Sequence, residues 1–360
     1  MFKREKRFLL LMREYVLGGA ETQFRYLLEY AERKKWKFDV LIEHDLNKDD
    51  ELLGKDISRM NYVRFYELAG GRECGKLYRA IMIHVLRRSI RTKYAACLIY
   101  HPDDLAFVSF MRIMGIKVVY SERVDASAVA GSPNYQKDLK FCRFIIANSK
   151  YAQEVLQRVT GRKAGLIRNG KPIVPQFPLK EERQIHRILV PARIAPPKNQ
   201  MLPLHFLKKC GDFDGKVVFA GLVEDRAYYG KLKQFIRKNG LEGKVEFLGF
   251  MKEMSEEYRK ADLVLLPSFA EGTPNVVLEA YAYGRPVIVS DIEVERDIVP
   301  NPALRFGVKN PEGIADCIKY VEELSDDSYR QLIEENRKVV MRDYRIKKMA
   351  NSFYMILSKC

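Results

Sequence analysis

Two carboxylates in the second half of the chain have a type and spacing suited to a polyhydroxylated ligand. Glu271 and Glu279 flank the turn Gly-Thr-Pro-Asn within SFAEGTPNVVLEAYAYGRPVIVSD, Ser268 to Asp291. An ionised carboxylate accepts through two oxygens, so each can grip a pair of vicinal hydroxyls. Arg193 and Lys198 lie upstream in PARIAPPKN, Pro191 to Asn199. Taken singly, each spacing also has a plainer reading: surface glutamates around a tight turn, and a solvated cation pair.

The elements that must hold these residues sharpen the choice. The apolar run DLVLLPS reads as a buried strand ending at Ser268, the loop FAEGTP follows, and Asn275 opens the helix NVVLEAYAYG. Gly284 stops that helix in the manner of a C-cap. The first turn, residues 273–276, leaves backbone N–H groups without helical partners, and such groups suit an anion or sugar hydroxyls. Arg193 follows a strand of its own, RILVPAR. In open α/β sheets ligands sit outside the carboxyl ends of strands, which is where every one of these motifs falls.

The same alternation runs through the whole sequence. RFLLLM, KFDVLIEH, ACLIYH, IKVVYSE, FIIANS and AGLIRN read as strands, with helices predicted at residues 20–34, 76–93, 104–114, 135–141 and 150–159. After the Pro-rich, charged break KPIVPQFPLKEERQIH, a second cycle begins: RILVPAR, KVVFAG, KVEFLG, DLVLLPS and RPVIVSD, with helices at 199–210, 227–239, 255–260 and 274–283. Helices over 311–324, 328–344 and 347–359 close the chain. Short apolar runs alternating with helical periods mean α/β architecture, a parallel sheet with helices on both faces. The expectation is two doubly wound domains across a cleft, residues 1–175 and 176–345, with 346–360 a last helix that crosses back to the first.

Length and composition agree. A chain of 360 residues suits two domains, and 47% hydrophobic with 31% charged residues is a soluble, globular balance. No apolar run approaches the roughly 18–20 residues that cross a bilayer, and FLLLM is too short for a signal segment. Six scattered cysteines, without a C-x-x-C pair or a nearby histidine, indicate neither a zinc site nor a disulfide framework and fit a reducing cytoplasm. The net charge of +16 is uneven, because residues 1–185 carry 35 Lys and Arg against 22 Asp and Glu. Within that half, Gly75 to Lys93 places Leu77, Ile81, His84, Val85 and Arg88 on one helical stripe. Such a helix either faces the core with a solvated basic back or lies on an anionic lipid surface. Nothing accompanies the charge that would read a nucleic acid.

SFAEGTPNVVLEAYAYGRPVIVSD resembles the donor-site signature of the family 4 (group 1) retaining glycosyltransferases, which have the two-domain GT-B fold. Four further stretches resemble that family in its own order: LGGAET at 17–22, IRNGKP at 167–172, PARIAPPKN at 191–199, and FLGFMKEMSEEYRKADLVLLPS leading into the glutamate motif. The resemblance implies that Arg193 and Lys198 neutralise the donor diphosphate, and that Glu279 binds the ribose hydroxyls. It also implies that Glu271 lies by the transferred sugar and that Gly272, Thr273, Pro274, Asn275 and Val276 line the donor site, where the backbone N–H groups of this stretch, Pro274 having none, face the sugar hydroxyls. Gly18 and Gly19 would let the first helix approach the diphosphate. Where many members have histidine, this chain has Ser121, Glu122 and Arg123, a version similar to that of some polysaccharide-building members. Glu122 and Arg123, with His101 at the end of ACLIYH, are therefore candidates for the acceptor side; an internal ion pair and a structural histidine are the alternatives.

The function implied is transfer of a sugar from a nucleotide-diphosphate donor, a UDP-sugar before a GDP-sugar, to a glycan or lipid-diphosphate-linked acceptor in cell-surface polysaccharide synthesis. The donor serves as co-substrate; no metal or other cofactor is expected, and no nucleic-acid partner. The expected place is the cytoplasm, with peripheral contact at the inner face of the plasma membrane. A nucleotide-sugar epimerase of the same fold and a non-catalytic nucleotide-sugar-binding module are the competing readings.

Overall fold

The computed structural model describes residues 6–12, 19–42, 60–67, 74–89, 93–123, 126–174, 183–251 and 253–360. The chain forms two compact units, Met1–Gly170 with Arg345–Cys360, and Lys171–Tyr344.

The first unit is built on β1 (Arg7–Met12), β2 (Lys37–Ile42), β3 (Val63–Glu67), β4 (Tyr94–Ile99), β5 (Lys117–Ser121), β6 (Phe144–Ala147) and β7 (Gly165–Leu166). All pair in parallel in the order β3-β2-β1-β4-β5-β6-β7. Its helices are α1 (Gly19–Arg33), α2 (Cys74–Ser89), α3 (Val108–Ile113), α4 (Ser127–Ala130), α5 (Pro133–Leu139) and α6 (Lys150–Thr160). The apolar run of β1 is continuous because both faces are covered: Phe8, Leu10 and Met12 enter one core, Leu9 and Leu11 the other. Helix boundaries follow local chemistry. In α6 the Ser149 hydroxyl accepts from Ala152 N at 3.2 Å, and Gly161 ends the helix at φ +65°.

The second unit repeats the plan with β8 (Arg187–Pro191), β9 (Lys216–Ala220), β10 (Val245–Gly249), β11 (Leu263–Leu266), β12 (Val287–Ser290) and β13 (Arg305–Phe306), ordered β10-β9-β8-β11-β12-β13. Around them lie α7 (Met201–Lys209), α8 (Arg226–Lys238), α9 (Ser255–Lys260), α10 (Asn275–Ala282), α11 (Glu293–Arg296), α12 (Glu312–Glu323) and α13 (Asp326–Asp343). The last helix, α14 (Ile346–Ser358), returns to the first unit and buries Met349, Ala350, Phe353 and Leu357 there. Trp36 stacks on Tyr354 at 4.0 Å between ring centroids. The turn before the second unit needs Gly170, since a Cβ there would lie 2.8 Å from Ile346 Cα.

Both sheets are thus parallel and doubly wound, as the alternation predicts, and in each the strand order reverses beside the first strand. The details differ in several places. VRFYE forms β3, which the sequence pattern left unassigned; it is an edge strand paired with β2 alone, so it lacks the apolar run of a central strand. AGLIRN shortens to the two residues of β7. Residues 104–107 belong to a 3-10 turn, Pro102–Phe107, and the α-helix starts at Val108. Helix α2 turns Ile81 and Val85 into the core, with His84 half-buried against Tyr66 at 4.6 Å, which is the core-facing arrangement.

Candidate functional site

The site in the second unit is built where β8 and β11, neighbours in the sheet, end. After β8 the chain makes a 3-10 turn over Pro196–Lys198, and Asn199 takes the left-handed conformation at φ +52°. Asparagine tolerates that region better than most residues. Its side-chain amide then donates to Pro267 O and to Val308 O, both at 3.0 Å, while Phe269 N donates to Pro197 O at 2.9 Å. These bonds fasten the turn to the loop that follows β11. Lys198 Nζ consequently reaches Glu271 Oε1 at 2.6 Å, and Ser268 Oγ donates to the same oxygen at 2.6 Å. Both members of the ion pair are largely withdrawn from water, with side chains 19% and 11% exposed.

Beyond Glu271 the loop runs through Gly272 and Thr273 to Pro274, which precedes α10 in an extended conformation and provides no side-chain cap. The first turn of α10, at Asn275 and Val276, is half-buried. Thr273 is 9% exposed, and its hydroxyl has no hydrogen-bond partner among the described residues. Gly284, at φ +67°, ends the helix as its C-cap role predicts.

Glu279 projects from the second turn of α10 and has two partners of its own. Its Oε1 accepts from Lys171 Nζ at 2.5 Å, and its Oε2 from Tyr258 OH at 2.8 Å. Lys171 is almost wholly buried, with its side chain 3% exposed, whereas that of Glu279 is 36% exposed. Tyr258 is held by stacking on Tyr283, at 5.0 Å and 7° between planes, and by Arg285 Nε, which donates to the Tyr258 carbonyl at 2.9 Å. Burial, followed by the Glu279 charge, pushes the Tyr258 phenol well above its usual range, so it remains a donor. The two glutamates therefore mark opposite ends of one loop and helix start, each anchored separately.

Arg193 stands apart from the Lys198–Glu271 pair. It is well exposed and pairs with Glu224 instead. Its backbone is fixed by Gln200 Nε2, which donates to the Arg193 carbonyl at 2.7 Å. Gly221 makes room for this segment: a Cβ there would lie 2.1 Å from Ala192 O. At the carboxyl ends of β9 and β10, Leu222 and Phe250 are exposed by 55% and 54%.

The candidates in the first unit have different surroundings. Gly18 lies outside the described residues, and Gly19 is the exposed first residue of α1. Glu122 is fully buried and accepts from Tyr120 OH at 2.7 Å. Arg123 is 5% exposed. It donates to Ser121 Oγ, Ile167 O and Asn169 Oδ1, each at 2.9 Å, and lies over Phe353 at 4.9 Å. Burial lowers this guanidinium to about 9, against the opposing pull of Glu122, so it stays charged at neutral pH. Its NH2 has no partner among the described residues. His101 caps the 3-10 turn, its Nδ1 accepting from Asp103 N at 3.4 Å. That is the structural use of a lone histidine.

Sequence reasoning did not single out Lys171, Tyr258, Glu224 or Glu295. The first two are separated from Glu279 by 108 and 21 residues, so no local spacing announces them. Glu295, on α11, is 1% exposed, and neither of its carboxyl oxygens has a hydrogen-bond partner among the described residues. Burial first, then the Glu271 charge, push its carboxyl well above the usual range, with Lys198 opposing.

Two separately anchored carboxylates around one helix start can accept hydrogen bonds from the hydroxyls of a ligand. The family described as Glycosyl transferases group 1 matches residues 175–339. The chain is 36% identical over 129 residues to an uncharacterized glycosyltransferase, MJ1607, of Methanocaldococcus jannaschii, covering 35% of this chain and 32% of that protein. It is 32% identical over 91 residues to the O-antigen biosynthesis glycosyltransferase WclY of Escherichia coli, covering 25% and 26% respectively. The matched stretches thus span about a third and a quarter of these curated relatives. Among solved structures, Anabaena HepE in complex with UDP and glucose superposes with a TM-score of 0.81 at 18% identity, covering 99% of this chain and 100% of that one. At that identity the likeness bears on fold, and the fold is GT-B.

Proposed function

We propose, for a chain whose residues 175–339 belong to the group 1 glycosyltransferases, that it is a retaining, metal-independent transferase using a nucleotide-diphosphate sugar. The observation that carries this reading is the pair of anchored acids around the start of α10. Glu271 is held by Lys198 and Ser268, and Glu279 by Lys171 and Tyr258.

In this reading Glu279 accepts from the ribose hydroxyls, its second carboxylate lone pairs remaining available beside Tyr258 and Lys171. The exposed apolar side chains of Leu222 and Phe250 offer a surface to the base. Lys198 and Arg193 turn from Glu271 and Glu224 toward the diphosphate, and Glu271 with the backbone of 272–275 takes the sugar hydroxyls. As the bond from the anomeric carbon to the phosphate oxygen breaks, the acceptor oxygen bonds to the same face of that carbon. The acceptor's proton passes to the departing phosphate. The side chains supply position and charge rather than a separate base, and two cations make a metal unnecessary for stabilising the leaving group.

UDP is favoured as the nucleotide, supported by the likeness to HepE, whose structure holds UDP and glucose. A cell-surface glycan as product is supported by the similarity to WclY, an O-antigen enzyme. The test is a panel of UDP- and GDP-sugars screened by thermal shift, then transfer and donor hydrolysis with the best. A ligand that binds only the folded state raises its apparent stability. No stabilisation by any UDP-sugar, together with none by UDP, would overturn the donor assignment.

An acceptor on a lipid diphosphate, met at the cytosolic face of a membrane, is the companion proposal. No helix among the described residues is long and apolar enough to cross a bilayer. The amino ends of the strands in the first unit carry exposed Lys6, Lys93, Lys117 and Arg143. Nearby Arg112 covers the half-exposed ring of Phe141 at 5.1 Å, and Ile113 is 83% exposed. Each surface cation adds about 1 kcal/mol of attraction to anionic lipid. Co-sedimentation with anionic and neutral vesicles checks it: equal binding to both would remove its support.

A further inference from the structure

Glu295 has a place in the second unit that nucleotide-sugar binding as described leaves unused. It lies on the short helix that follows β12, 1% exposed, with Oε1 and Oε2 both lacking hydrogen-bond partners among the described residues. A carboxylate in such surroundings is far costlier than the neutral acid, so the group keeps its proton. The charged groups that act on it are Glu271 from the loop after β11 and Lys198 from the turn after β8, and its own charge acts in turn on Tyr281 of α10. On its own element Glu293 is exposed, and Arg296 is occupied by Asp291 at 2.8 and 3.0 Å.

This corner therefore brings together two acids and a lysine, and among the described residues the Lys198 ammonium pairs with Glu271. With Glu295 neutral, Lys198 and Glu271 balance one to one. With Glu295 ionised, a second negative charge would hold Lys198 back and repel an arriving diphosphate. We propose that Glu295 is a positioning residue: by retaining its proton it leaves the Lys198–Glu271 pair free to open, so that Lys198 can turn to the phosphates of the donor. It acts through Lys198 and Glu271 and touches no reacting atom. The inference rests on the donor reading above, and its test separates the two.

The first measurement needs no nucleotide. Infrared spectra of the full chain at about pH 7 should show the C=O band of a protonated carboxylic acid, missing in Glu295→Gln. The second is UDP affinity by calorimetry, measured from about pH 7 upward across the range in which that band disappears. The wild-type affinity should fall by about threefold or more as the band titrates away, while Glu295→Gln keeps the affinity seen at about pH 7 and loses the slope. Glu295→Met, uncharged and similar in volume, replaces the glutamine variant if that fails to fold. An unchanged infrared band in the variant, a wild-type affinity that does not follow the band, or a variant with the wild-type slope would each overturn the proposal. UDP failing to bind either protein at any pH would overturn the donor reading and this role with it, while the infrared band would still report the state of the acid.

Discussion

Lys198 Nζ lies 2.6 Å from Glu271 Oε1, joining the turn after β8 to the loop after β11, two segments separated by 73 positions in sequence. Under the proposed function the contact sets two jobs of that lysine against each other: it holds the loop here, and it would have to be released to a phosphate when a donor binds.

Lys198→Ala should therefore act on stability and on catalysis separately. Leaving the partly buried Glu271 with only Ser268 should cost about 1–3 kcal/mol, read as a shift in the urea midpoint. Loss of a cation that stabilises the leaving group should lower kcat by about 100-fold or more. Glu271→Gln should lower transfer while staying folded. Wild-type transfer rates in either variant would exclude the assigned roles.

Tyr258→Phe removes one donor from the Glu279 carboxylate and changes nothing else in shape. Hydrogen bonds to charged groups contribute about 1.5–3 kcal/mol, so donor KM should rise about 10-fold or more while kcat stays near wild type. Steady-state kinetics with varied donor checks it. A fall in kcat at unchanged KM would move Glu279 from the nucleotide end to the reacting end.

Glu295 makes stability depend on pH with a definite sign. Its folded pKa lies above the unfolded value, so the folded chain holds a proton that the unfolded chain releases. The stability this provides is complete at low pH and is lost as pH rises from about 4.3 toward the folded pKa, by up to about 1.4 kcal/mol per unit. Denaturant unfolding across that window should show wild type losing stability relative to Glu295→Gln. Parallel curves would mean the proton is not held there.

Gly221→Ala places a methyl group against the Ala192 carbonyl, where the ideal Cβ position is 2.1 Å from the oxygen. The strand end must shift, at a cost of about 1–3 kcal/mol, and Arg193 shifts with it. Lower Tm together with weaker UDP binding is expected. Gly230→Ala is the control, because its added Cβ meets nothing within 4 Å.

The architecture was legible because its signals are local. A strand buried on both faces must be an unbroken apolar run, as RFLLLM and DLVLLPS are, and a helix must announce its period and its stop, as α10 does at Gly284. The Ser268–Glu279 stretch was equally legible as a strand end, a loop and a helix start. β3 escaped notice because an edge strand with one neighbour needs no such run. The acids of the site could be named from sequence, but their partners could not.

The residue types, their order and the strand ends that present them were determined by the sequence alone, since sterics and periodicity act over a few residues. Tertiary structure decided the pairing: Lys198 with Glu271, Arg193 with Glu224, Lys171 and Tyr258 with Glu279, and, among the described residues, no hydrogen-bond partner for the Glu295 carboxyl. Charge and hydrogen bonding act through space, and which groups meet depends on how the parallel strands are ordered in the sheet. Burial, which decides whether a carboxyl keeps its proton, is a property of the packed unit and has no counterpart in the linear chain.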